Sequence, residues 1–246
     1  MNGITTIRVM RGVCARAMLA TMLGAPLSAA ETVRYRTEVR SAAGDTKLYD
    51  GETIQSTEAG LTRRRTVFRK SGEVVATSEV AFRADSLRLE SYAQDDFVCG
   101  QRVRVSREGA TIVLRFADKP GASEDVTRFD DGAGVLTAGS LSLDMLIRQW
   151  SALERGDDAR FEMIVSERGM HVPFVAVAPE RVQVRGRDAL RVRVKTSNWF
   201  LRVFAPEVIF TLDAAAPHEP LEVTAPTIIR DASCGLVRGK TVLERL

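Results

Sequence analysis

Apolar and polar residues alternate at every second position through much of this chain. Val33, Tyr35, Thr37 and Val39 alternate with Arg34, Arg36, Glu38 and Arg40. The same period recurs at Leu87/Leu89, Val103/Val105, Ile112/Leu114/Phe116, Phe161/Met163/Val165, Val182/Val184 and Leu190/Val192/Val194. Successive side chains of a strand point to opposite faces, so each segment predicts a strand with one buried and one wet face. Gly44-Asp45, Asp50-Gly51, Ser71-Gly72, Glu108-Gly109, Asp131-Gly132 and Arg185-Gly186 fall between them as turn signals. Strands joined in this way form antiparallel meanders. Arg and Glu on the polar positions leave that side of the sheet open to water.

One segment departs from this period. From Ser140 to Arg155, the apolar residues Leu143, Leu146, Ile147, Trp150 and Leu153 recur at helical spacing. Ser140 or Ser142 can cap the start, Asp144 lies in the first turn, and Gly156 follows Arg155 as a stop. An amphipathic helix must bury its stripe, here against the concave side of the sheet. The expected fold is mainly β: a curved antiparallel sheet, an open half-barrel, wrapped around one amphipathic helix. Residues 31–246 form a single β-rich domain in this reading, with no linker or repeat dividing them.

The first thirty residues belong to neither pattern. They carry Arg8, Arg11 and Arg16 and no acid, then the apolar run Ala17–Leu27, then Ser28-Ala29-Ala30. Basic, apolar, then small is the order of a secretory signal peptide. Ser28 and Ala30 fit a cleavage site, which sets residues 1–30 apart as a cleaved segment. Met10 is an alternative start that leaves a shorter basic region. The run is too short for a membrane span of about 20 residues, so no integral span is expected in the mature chain. Cys14 precedes the apolar run, whereas a lipid-modified cysteine follows it. The expected location is the periplasm.

Removing this segment changes the charge. The whole chain has 35 Lys+Arg against 32 Asp+Glu, and the three arginines of the signal account for the difference. A neutral domain lacks the bulk positive charge that binds phosphate backbones, so no nucleic-acid partner is expected. Arg63-Arg64-Arg65 and Arg102/Arg104/Arg107 form local basic groups, read here as solvated strand faces. Two cysteines remain, Cys99 and Cys234. An oxidising compartment permits them to pair, and two separate half-buried thiols are equally compatible with the sequence.

Catalytic and metal-binding patterns are sparse. The histidines, His171 at a strand start and His218 in a turn, read as solvated loop residues. No His-x-x-x-His, Cys-x-x-Cys, Gly-x-Ser-x-Gly or phosphate-binding glycine loop occurs, so no metal, cofactor or catalytic residue is assigned. Asp95-Asp96, Asp130-Asp131 and Asp157-Asp158 are adjacent, which on a strand sends the two carboxylates to opposite faces. Apolar binding has more material. Trp199, Phe200 and Phe204 lie close together, and Phe210 follows. With Met145 and Trp150 from the helix they can line an apolar pocket. A packed core has the same composition.

Several segments resemble exported bacterial proteins of the domain of unknown function 3108. They are Ser140–Trp150, Phe161–Val165, Gly186–Val194, and Phe210–Asp213 with Pro220–Val223. That family often starts its helix with an Asp-Pro-Leu-Ser-like sequence, where this chain has Ala138-Gly-Ser-Leu-Ser-Leu143. The resemblance implies a half-barrel shaped like periplasmic lipoprotein carriers, whose concave face holds acyl chains. The expected function is non-catalytic carriage of an apolar, lipid-like ligand or a lipidated protein. An envelope module that docks a protein or polymer is the alternative, and a glycan hydrolase built on carboxylates is a second.

Overall fold

The computed structural model describes residues 31–44, 46–131, 136–165, 170–198 and 207–246. The fold is mainly β. The first eight strands are β1 (Glu31–Arg40), β2 (Lys47–Glu58), β3 (Leu61–Lys70), β4 (Glu73–Arg83), β5 (Leu89–Asp96), β6 (Arg102–Glu108), β7 (Thr111–Ala117) and β8 (Asp125–Asp130). Each pairs antiparallel with the next. A short β9 (Leu136–Thr137) and two helices, α1 (Leu141–Arg148) and α2 (Trp150–Arg155), follow. A second meander runs through β10 (Ala159–Val165), β11 (Met170–Val184), β12 (Arg187–Thr196), β13 (Val208–Asp213), β14 (Pro220–Arg230) and β15 (Leu236–Arg245). β1 pairs with β15, which joins the two meanders into one 15-stranded sheet with β8 and β9 at its edges. Pairing does not close this sheet into a barrel. β9 and β10 run parallel; the other neighbours are antiparallel.

The sheet curls strongly. β5 and β14 are six positions apart in its order. In a flat sheet that is about 29 Å at about 4.8 Å per strand. Yet β14 packs directly against both β4 and β5. Bonds across this junction hold it. Cys99, after β5, is disulfide-bonded to Cys234, after β14, with their Cα atoms 5.8 Å apart. Arg230 donates to Gln101 Oε1 at 2.9 and 3.3 Å.

The interior holds two main apolar clusters. Val39, Tyr49, Phe68, Ala76 and Ile229 fill the end beside the disulfide. Gly51 permits this packing, since a Cβ there would lie 3.0 Å from the Phe68 ring and 3.2 Å from Thr37 Cβ. The larger cluster joins residues of β4–β7, such as Phe82, Leu89 and Leu114, to residues of β10–β13, such as Phe161, Val192 and Leu212. Leu141, Leu143, Met145, Leu146, Trp150 and Leu153 of the helices belong to the same cluster. Across the sheet, Phe129 of edge strand β8 meets His171 of β11 edge-on, with ring centroids 5.2 Å apart.

Four local expectations change. The single helix over Ser140–Arg155 is two helices, broken at Gln149. There the backbone leaves α geometry (φ −94°, ψ 14°), and the Gln149 N–H is shared between the carbonyls of Leu146 and Met145. One residue of tighter hydrogen bonding breaks the helix without turning the stripe away from the core. Ser140 occupies the N-cap position without a side-chain cap bond, while Ser142 Oγ donates to the Gly139 carbonyl at 3.0 Å. Gly156 ends α2 in the left-handed region at φ 88°, as its position predicts. Asp50-Gly51 is not a turn; it lies inside β2, where the glycine serves the close approach of Phe68. Leu87 is not in a strand either, and sits in a turn at φ 55°.

Candidate functional site

A cavity of about 570 Å3 lies between the central strands and the start of α1. Strand parity and register build its wall. The inward residues of β1 are Val33, Tyr35 and Thr37, and cross-strand pairing continues each across the sheet. Tyr35 pairs with Arg245 on one side and Thr53 on the other; Thr53 pairs with Thr66, and Thr66 with Ser78. A row of hydroxyls thus crosses β1, β2, β3 and β4. Val33 begins the next row, which continues through Gln55 and Arg64. Thr37 pairs with Leu243. Leu143 and Ile147 of α1, Val208 and Phe210 of β13, and Val223 of β14 supply apolar lining opposite.

The hydroxyls are linked. Thr37 and Thr53 hydrogen-bond at 3.2 Å, and Thr53 and Thr66 at 2.9 Å. All three are under one-tenth exposed. Tyr35 Oη and Ser78 Oγ, in the same row, have no hydrogen-bond partner among the described residues. Burial raises the Tyr35 phenol above its usual pKa, and the nearby Glu219 carboxylate adds to this; Arg64 and Arg245 oppose it.

The charged lining residues are Glu31, Arg64, Asp144, Glu219 and Arg245. Arg64 lies on the inward parity of β3, with only 11% of its side chain exposed. Its Nε and Nη2 donate to Gln55 Oε1, and its Nη1 and Nη2 reach the two carboxylate oxygens of Asp144 at 2.8 and 2.9 Å. Nη1 also donates to the Ser140 carbonyl at 3.0 Å. This fork fastens the first turn of α1 to the β2–β3 hairpin. Arg245 donates to Glu219, which holds the guanidinium even more firmly protonated than usual.

These placements correct the reading of both arginine groups as solvated faces. Arg63 and Arg65 point outward, but Arg64 does not. Arg102 and Arg104 share one parity of β6, whereas Arg107 shares the buried parity of Val103 and Val105. The Arg107 side chain is 5% exposed and bonded to Asp131 and to the Leu89 carbonyl. Strand parity, visible in the sequence, separates these inward arginines from their neighbours.

The apolar candidates divide. Phe210, itself part of the larger core cluster, lines the cavity. Met145 and Trp150 are buried in the larger core cluster rather than in the lining. Trp199, Phe200 and Phe204 lie outside the described residues. Sequence reasoning missed the hydroxyl row, Arg64 and Asp144 because their grouping depends on register across several strands. Cys99 and Cys234 are bonded, with Sγ atoms 2.06 Å apart.

The histidines lie where the sequence predicts, His218 in a turn and an exposed His171 at the start of β11, and each has a partner. His218 stacks on the Trp150 indole, with centroids 3.8 Å apart, because the segment after β13 folds over α2. His171 lies within β11, with Nδ1 2.6 Å from Glu162 Oε2. Among the described residues, no three His, Cys, Asp or Glu side chains cluster to hold a metal. Asp95 and Asp96 diverge as adjacency on a strand requires: Asp95 accepts from Arg104 and Asp96 from the Cys99 N–H. The Asp85 and Asp231 carboxyls are lowered in pKa, chiefly by hydrogen bonds from Ser86 and Ser233 respectively.

No helix among the described residues is long and apolar enough to cross a membrane. No family model matches the chain, and no curated protein does. The resemblance to the domain of unknown function 3108 is therefore not supported at the family level. Among solved structures, the chain is similar to a beta-barrel-like protein of the domain of unknown function DUF1849 from Brucella abortus. They share 12% identity over 87% of this chain and 94% of that one, with a TM-score of 0.48. A 32 kDa fragment of the flagellar hook protein FlgE from Caulobacter crescentus matches at 10% identity over 87% of this chain and 86% of that one, with a TM-score of 0.21. Neither likeness assigns this chain a function.

Proposed function

We propose that the protein is an exported, non-catalytic binder of an apolar, lipid-like ligand, held in the cavity under α1. The cavity itself carries this reading. Its 570 Å3 falls within the range of about 300–1,000 Å3 typical of small-molecule sites. Its lining combines apolar side chains with convergent hydroxyls and paired charges. In this reading the sheet is an open half-barrel wrapped around the helical segment, and α1 forms one wall of the site. The basic–apolar–small order of residues 1–30 and the disulfide support a periplasmic location.

Two measurements test this. Protein purified from envelope fractions is extracted with organic solvent and the extract analysed by mass spectrometry; a co-purifying lipid is expected. The delipidated protein is then titrated with 1-N-phenylnaphthylamine. Saturable fluorescence enhancement is expected, and Ala225→Trp, which places an indole in the cavity, should abolish it while leaving the far-UV circular dichroism unchanged. Absence of both lipid and probe binding, or probe binding untouched by Ala225→Trp, overturns the reading.

A further inference from the structure

We infer that the cavity selects an uncharged amphiphile, an apolar chain bearing hydroxyl or ester groups, over an anionic one such as a fatty acid. This rests on the binding reading above and names its ligand class. The first argument is the state of Arg64. A guanidinium has five N–H donors. Five hydrogen bonds leave Arg64: two to Gln55, two to Asp144 and one to the Ser140 carbonyl. None remains for a carboxylate or phosphate.

The second argument is charge. Arg64 and Arg245 stand against Asp144 and Glu219, and the Glu31 carboxylate shares its residue with the α-amino group of the mature chain, so the lining carries no excess positive charge. Both arginines are already paired with a carboxylate. An anion entering here sheds its water and meets no unpaired arginine to replace it.

The third argument is the hydroxyl row. Three threonine hydroxyls joined by two hydrogen bonds use two of their three protons, so one donor is left over. That donor belongs to a wall under one-tenth exposed. Tyr35 Oη and Ser78 Oγ extend the row without partners among the described residues. Both residues are half-buried in the cavity wall, where a ligand can reach them. A glycerol hydroxyl or an ester carbonyl matches these neutral donors and acceptors.

The test is displacement of 1-N-phenylnaphthylamine from the full mature protein by chain-matched competitors, 1-monolauroylglycerol and laurate, at pH 8. Half-displacement is expected at about tenfold lower concentration for the monoacylglycerol, the ratio that one well-made hydrogen bond supplies. Thr53→Val/Thr66→Val should erase most of this advantage and leave laurate unchanged. Asp144→Asn, which leaves Arg64 without a counter-charge, should strengthen laurate severalfold. Urea midpoints confirm that each variant is folded. Laurate displacing as well as or better than the monoacylglycerol overturns the inference, as does an advantage that survives the double variant. In both cases a bound probe leaves the cavity reading standing. If the probe itself does not bind, both fall.

Discussion

At the scale of single residues, parity decides more than residue type. Arg64 sits between two outward arginines, yet its own parity is that of Thr62, Thr66 and Phe68, and it turns inward. Tyr35 shows what burial does to a polar group in the same wall. Its phenol is held above the ordinary value of 10.0 by burial first and by Glu219 second. Tyr49 is raised as well, by burial and then by Asp231. A raised folded pKa means that the folded state resists losing the proton that the unfolded state gives up near pH 10. The contribution to stability is therefore complete below pH 10 and is lost as pH rises through the folded values. Absorbance titration at 295 nm should show these two tyrosines ionising later in the native protein than in urea. The urea midpoint should fall from pH 10 upward, and Tyr35→Phe should lessen that fall. Native and unfolded titrations that coincide would contradict the burial.

Among the elements, α1 has two roles on one turn of sequence. Leu146 is fully buried in the larger core, whereas its neighbour Ile147 is half-buried and lines the cavity. Leu146→Ala should therefore cost about 3 kcal/mol in urea unfolding, in the middle of the range for truncating a buried leucine. Ile147→Ala should cost about 1 kcal/mol and instead change the affinity for the probe. Equal costs would mean that no cavity adjoins α1. This division also marks what the sequence could reveal. The stripe Leu143, Leu146, Trp150, Leu153 announced a buried helical face, and period two announced the strands. Neither pattern says whether a buried face meets packed atoms or empty space, so Val33, Tyr35 and Thr37 read the same either way. Met145 and Trp150 suit a pocket by composition, and the fold packs them into the larger core cluster. The hydroxyl row was illegible because Tyr35, Thr53, Thr66 and Ser78 meet only once the registers of four strands are set. The break at Gln149 left no mark on the periodicity, since the stripe on either side of it stays buried.

For the whole molecule, the question is what keeps an unclosed sheet curled. Hydrogen bonding between neighbours fixes the strand order but not the curvature; contacts between strands distant in that order must do so. At the end where β14 meets β4 and β5, three kinds of contact coincide: the Cys99–Cys234 bond, the Arg230–Gln101 hydrogen bonds, and the cluster built on Ile229, Phe68 and Ala76. The disulfide differs from the others because it acts on the unfolded chain. It joins residues 135 apart, and closing so long a loop stabilises the fold by up to about 5 kcal/mol on a chain-entropy argument. The apolar cluster and the arginine bonds act in the folded state alone. Cys99→Ser/Cys234→Ser should accordingly lower the urea midpoint substantially, and treating the wild type with reductant should reproduce the shift. Probe binding without denaturant should nevertheless persist, because Ile229 still packs between the two walls. Binding lost in step with the disulfide, in a variant that circular dichroism shows to be folded, would mean that the covalent bond rather than the packed end of the sheet maintains the cavity.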